Sequence, residues 1–138
     1  MTVPNDILLS EVGRLLGEGH EVILLTKGGS MLPFIRGEKD SVLLKKRSAV
    51  EVGDIVLAEI GEGKYVLHRI LSRDGEKLTL MGDGNLKGTE SCLTADVLGT
   101  VLKIVTPGGR MKSPSKGRVW KWLRPVRRYL LAIIRRIR

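Results

Sequence analysis

Apolar and polar positions alternate with two distinct periods along this chain. Ile7, Leu8, Val12, Leu15 and Leu16 recur at helical spacing behind Asn5 and Asp6, two residues suited to capping. Gly17 and Gly19 end that pattern, which predicts a short amphipathic helix over 6–17; Gly13 is the one position inside it that weakens a helix. Beyond residue 20 the signal changes to short apolar runs: Glu21–Thr26, Ser41–Lys45, Ile55–Ile60, Tyr65–Leu71, Lys77–Met81 and Val97–Val105. Between them lie Gly53-Asp54, Gly61-Glu62-Gly63, Asp74-Gly75 and Gly82-Asp83-Gly84-Asn85, all turn chemistry. Short strands separated in this way predict an antiparallel sheet or barrel, with Asp74-Gly75 as a hairpin turn.

Pro107-Gly108-Gly109 and Ser113-Pro114-Ser115 mark a linker. The expected organisation is a domain over 1–106, a linker over 107–117 and a separate segment over 118–138. In that last segment Val119, Leu123, Val126, Leu130, Ile133, Ile134 and Ile137 share one helical face, and Lys121, Arg124, Arg128 and Arg135 lie opposite. Pro125 kinks or restarts the helix.

Charge sharpens this division. The chain has 138 residues and a formal net charge of +9. Residues 1–109 hold 13 Lys/Arg against 15 Asp/Glu, whereas residues 110–138 hold 11 Lys/Arg and no acid. A near-neutral domain is followed by a strongly basic tail, which calls for an anionic partner. Trp120 and Trp122 precede the apolar stripe as interfacial anchors do, and with Arg124, Arg127, Arg128 and Arg135 they predict a helix lying on an anionic membrane surface. Packing of the stripe on the domain is the competing expectation. Nucleic acid is set aside, because a basic helix tracks phosphates but nothing here supplies base readout.

Other classes are bounded by composition. A single cysteine, Cys92, excludes an internal disulfide framework. Two histidines and one cysteine are too few for a structural zinc site, so no metal or cofactor is expected. The segment Asn5–Gly19 carries three acids and no basic lead, so it does not read as a signal peptide. Nowhere is there a run of about 18 apolar residues.

Three segments carry candidate chemistry. Ser30 follows Gly28-Gly29, whose lack of side chains permits close backbone approach, and exposed N–H groups there can receive a developing oxyanion. Such a serine is otherwise an ordinary turn residue. Pro33 favours an extended Leu32. Strand alternation puts Val66, His68 and Ile70 on one face and Tyr65, Leu67, Arg69 and Leu71 on the other. A half-buried imidazole there suits a general base, although a core histidine has the same setting. His20 is expected in solvent. Asp83 reads as turn chemistry or as the carboxylate that orients His68, with Glu90 and Asp96 as rivals.

Taken in order, Gly29-Ser30-Met31-Leu32-Pro33, Gly53-Asp54-Ile55-Val56, His68-Arg69-Ile70 and Gly82-Asp83-Gly84-Asn85 resemble the boxes of the signal-peptidase and LexA-like serine peptidase superfamily. The closest likeness is to its archaeal and endoplasmic-reticulum branch, and Arg36-Gly37-Glu38-Lys39-Asp40 is similar to the stretch that follows the serine box there. The resemblance spans about residues 21–105. It implies a mainly β, LexA/signal-peptidase-like antiparallel β-barrel, a substrate bound as an added strand, Ser30 as nucleophile and His68 as general base. Gly29, Met31 and Pro33 would belong to the oxyanion and substrate loop, with Met31 lining a pocket for small residues.

Two departures stand out. Members of the branch carry an N-terminal membrane anchor, and the basic C-terminal helix takes that place here. Their acid lies in an Asp-Asp pair, where this chain has Gly88-Thr89-Glu90, so the acid is Asp83 or Glu90, with Asp83 first. The expected activity is endoproteolytic removal of a leader or signal segment, at the cytoplasmic face of a membrane. Two alternatives are a non-catalytic peptide-binding module of the same fold and a self-cleaving LexA-like regulator. The latter is disfavoured by the lack of a preceding helix-turn-helix and by histidine where those proteins use lysine.

Overall fold

The architecture follows from one helix and eight strands, seen in a computed structural model that describes residues 6–26, 35, 39–61, 63–82 and 89–114. The helix, α1, covers Asp6–Gly17, the span its periodicity predicts. Its C-terminus is closed by Gly19 at φ 92°, a left-handed conformation that glycine adopts without a Cβ penalty. The N–H groups of Gly19 and His20 donate to the carbonyls of Leu16 and Leu15, each at 3.0 Å, so two orphan acceptors of the last turn are satisfied. Leu9, Val12 and Leu16 face inward. His20 is exposed, as expected.

The strands are β1 (Val22–Leu25), β2 (Ser41–Lys45), β3 (Ile55–Gly61), β4 (Lys64–Asp74), β5 (Lys77–Met81), β6 (Glu90–Leu93), β7 (Val97–Val105) and β8 (Met111–Lys112). They form one sheet in the order β1-β2-β7-β3-β4-β5-β6, with β8 also paired to β7. Every pairing is antiparallel. The protein is therefore mainly β with one short N-terminal helix. Among the described residues β1 and β6 end the order and no pairing joins them, so the sheet is open where the sequence led us to expect a barrel. The expected C-terminal helix over 118–138 lies outside the described residues.

Strands β2, β5 and β7 have the predicted bounds, and Asp74-Gly75 does open the β4–β5 hairpin, with Asp74 opposite Lys77. Two strands went unforeseen. In β6 only Cys92 and Leu93 are apolar, too short a signal to register. β8 sits inside the expected linker, where Thr106 and Arg110 close a tight turn that brings Met111 opposite Val105.

Burial departs from simple alternation as well. The sheet is covered on both faces through β3, β4 and β7. On one side α1 packs with Ile55, Leu57, Leu67, Val101 and Ile104; on the other Val56, Ala58, Val66, Ile70, Leu78 and Leu80 form a second cluster. Val66, His68 and Ile70 do share a face, but Leu67 and Arg69 opposite them are buried too. Central strands enclosed on both sides read as continuous apolar runs rather than half-exposed ones. Helix and sheet approach closely at Gly99, where an added Cβ would lie 3.0 Å from Leu16 Cδ1.

Candidate active site

Two of the sequence boxes are neighbours in the sheet. β3 pairs with β4 so that Ile55 is opposite Arg69 and Val56 opposite His68. Just before β3, the Gly53 N–H donates to the Ile70 carbonyl (2.9 Å) and the Ile70 N–H to the Asp54 carbonyl (2.8 Å). Arg69 adds a side-chain tie: its Nη1 donates to the Gly53 carbonyl at 2.7 Å, within the buried interior. A charge-assisted bond of this kind is stronger than a neutral one. It fixes the start of β3 against the stretch of β4 that carries His68. In the sequence Arg69 shows only as part of a box and of a strand face; its tie to Gly53 depends on the β3–β4 pairing.

His68 is 2% exposed, on the second-cluster side of β4. Its partner comes from the unforeseen strand. β6 pairs with β5, placing Glu90 opposite Leu80, which in turn is opposite Ile70 of β4. Glu90 therefore points to the same face as Ile70 and His68, and its side chain reaches across β5, where the strand ends at Met81 and Gly82 follows. His68 Nδ1 lies 3.2 Å from Glu90 Oε1. The contact becomes an ion pair only when the imidazole is protonated. Glu90 Oε2 is buried with no hydrogen-bond partner.

Burial pushes the His68 pKa down to about 3. The imidazole is thus neutral at ordinary pH. With Nδ1 turned to Glu90, Nε2 is the nitrogen placed to take a proton, and Glu90 is placed to stabilise the cation that results. Removal of water from the imidazole makes that cation costly, so a carboxylate beside Nδ1 is what such a base requires.

Of the other two acid candidates, one is described. The Asp96 carboxylate accepts the Leu93 N–H at 2.8 Å and caps the short 3-10 turn Thr94–Asp96, a structural task. Asp83 lies outside the described residues, as do Ser30, Gly29, Met31 and Pro33. The ends of the serine-bearing loop are described, however. The Thr26 N–H and hydroxyl both donate to the Asp40 carbonyl, at 3.1 and 2.7 Å, directly beyond the pairing of Leu25 with Ser41. Thr26 and Asp40 are fully buried, and Ile35 between them is seated in the α1-side core. The loop is pinned at both ends and at one interior residue.

Cys92, one position beyond Ser91 on β6, is buried opposite Leu78, and burial pushes its thiol up to about 11. It is a packing residue and not a nucleophile.

A family model described as Peptidase S24-like matches residues 4–101. No curated protein matches the chain.

Proposed function

Since the chain belongs to the Peptidase S24-like family, of the LexA and signal-peptidase superfamily, we propose that it is a serine endopeptidase of signal-peptidase type that removes a leader or signal segment. The observation that carries this reading is the buried, neutral His68 with a carboxylate against Nδ1. Ser30 Oγ attacks the scissile carbonyl, and His68 takes the hydroxyl proton at Nε2. Glu90, rather than Asp83, stabilises the imidazolium. Backbone N–H groups around Gly29 and Ser30 receive the oxyanion, and Met31 and Pro33 shape the substrate side of the loop. His68 then passes its proton to the leaving amine, and water, deprotonated by the same imidazole, releases the acyl-enzyme.

The archaeal and endoplasmic-reticulum branch is supported by a histidine at 68 and by the order of the four boxes. The test is reaction with an active-site-directed acylating inhibitor of signal peptidases, read by intact mass. Wild type forms a covalent adduct, and Ser30→Ala and His68→Ala do not. A folded wild type that stays unmodified would instead favour a non-catalytic peptide-binding module. A first-order loss of intact chain, independent of concentration, would favour a self-cleaving regulator.

The basic tail supports a peripheral position on an anionic membrane, at the cytoplasmic face, with a leader peptide as the substrate. No helix among the described residues is long and apolar enough to cross a membrane. Sedimentation with anionic vesicles tests this part: full-length protein should pellet with them, and a protein that stays in the supernatant has no such role.

A further inference from the structure

The peptidase reading leaves one cavity of the domain without a role. It measures about 320 Å³ and lies where the β2–β3 loop, the β4–β5 hairpin and the 3-10 turn Thr94–Asp96 meet beside β7. Lys46, Arg47 and Ser48 line it from the loop, Arg73 and Glu76 from the hairpin, and Thr94 from the turn.

The walls of this cavity are tied to one another. Arg73 Nη1 donates to the Val50 carbonyl at 2.9 Å, joining hairpin to loop, and Arg73 Nε donates to the Gly75 carbonyl at 2.7 Å. The Thr94 N–H donates to the Glu76 carbonyl at 2.8 Å, joining turn to hairpin, and the Thr94 hydroxyl donates to Glu76 Oε2. The backbone of the site is therefore formed before any ligand arrives, which leaves less ordering to oppose binding.

Its charge is one-sided. Three cations line the cavity against a single acid. That acid, Glu76, already accepts the Thr94 hydroxyl, and its Oε1 stands 3.8 Å from Arg73 Nη2, too far for a hydrogen bond. Among the described residues Lys46 and Arg47 make no ion pair, and the Ser48 hydroxyl makes no hydrogen bond. Unpaired cations scattered over a surface are ordinary. Here two of them share a preformed hollow with a third, and like charges gathered in a cleft attract an anion.

We propose that this cavity binds a phosphate group, carried by a soluble phosphate ester or by the headgroup of an anionic phospholipid. A carboxylate offers two oxygens in one plane and is satisfied by a single guanidinium fork. The donors here stand on two walls, Lys46, Arg47 and Ser48 on the loop and Arg73 on the hairpin. A tetrahedral group with three or four acceptor oxygens can face both walls at once. The volume is at the small end of ligand cavities, with room for a short ester beside the phosphate. The inference goes beyond the peptidase reading and does not depend on it.

The test is a proton–nitrogen NMR titration of the full-length protein with glycerol 3-phosphate at constant ionic strength. The amide signals of Ser48, Gly75 and Thr94 should shift and saturate together. Lys46→Gln combined with Arg47→Gln, both at exposed positions, should weaken that binding roughly tenfold or more. Lys64→Gln with Lys112→Gln, an equal loss of charge at exposed positions elsewhere, should leave it unchanged. Sedimentation with phosphatidylcholine vesicles containing phosphatidylglycerol separates the two sources. If the headgroup is the ligand, the cavity pair loosens sedimentation several-fold more than the control pair; if a soluble ester is, the two pairs behave alike. Amide shifts that grow without saturating would overturn the proposal. So would acetate saturating the same amides as tightly, or a cavity variant that binds the ester like wild type.

Discussion

Replacing Glu90 by Gln keeps the shape of the side chain and removes its charge. In the resting protein His68 is neutral, so no charge pair is lost and the fold should hold, within about 1 kcal/mol, typical for exchanging one polar side chain for another. The cost arises when the imidazole is protonated. Two unit charges 3.2 Å apart attract by about 5 kcal/mol at an effective dielectric of about 20. Glu90 retains 30% of its side-chain surface in solvent, which weakens the attraction to about 3–4 kcal/mol. That corresponds to a rate loss of about 10²–10³. Because the cation exists only beyond the ground state, the loss should appear in kcat and leave KM unchanged. The assay is the rate of acylation by the mechanism-based inhibitor, followed by intact mass, together with turnover of a leader-peptide substrate. Circular dichroism and urea unfolding run alongside to establish that the variant is folded. Asp83→Asn provides the comparison. If Glu90→Gln acylates at the wild-type rate while Asp83→Asn is slow, the carboxylate beside Nδ1 is not the working acid and the argument from geometry fails.

Three further outcomes follow from the same structure. Burial holds the folded-state pKa of His68 near 3, against about 6.5 in the unfolded chain, so below pH 6.5 the unfolded state binds the extra proton. Its contribution to stability is complete above about pH 6.5 and is lost as pH falls toward 3, with a slope of up to about 1.4 kcal/mol per pH unit; urea midpoints across pH 4–8 should show this in wild type, and His68→Gln should flatten it. Gly99→Ala forces a Cβ to within 3.0 Å of buried Leu16 and should destabilise by about 1–3 kcal/mol; combined with Leu16→Ala, itself costly by about 2–5 kcal/mol, the total loss should fall short of the sum of the two single losses, and additive losses would mean that α1 does not pack as described. Cys92 should react with a thiol reagent at pH 8 only as fast as the protein unfolds, and rapid labelling of the folded state would contradict its place between β5 and the core.

Local chemistry was sufficient for much of this fold. The α1 span, the bounds of β2, β5 and β7 and the Asp74-Gly75 hairpin are each encoded within a few consecutive residues, because helix periodicity and turn preference are nearest-neighbour properties. The same locality places Val66, His68 and Ile70 on one face. What the sequence could not express is which strands lie side by side. Glu90 was legible only as one acid among three, since its meaning depends on the Leu80–Glu90 and Ile70–Leu80 pairings, which turn a residue 22 positions from His68 into its contact. Enclosure of β4 on both faces and the Arg69 tie to the Gly53 carbonyl are likewise consequences of strand order. Side-chain period tells a strand which residues turn together, but only the tertiary arrangement of neighbouring strands decides what they meet.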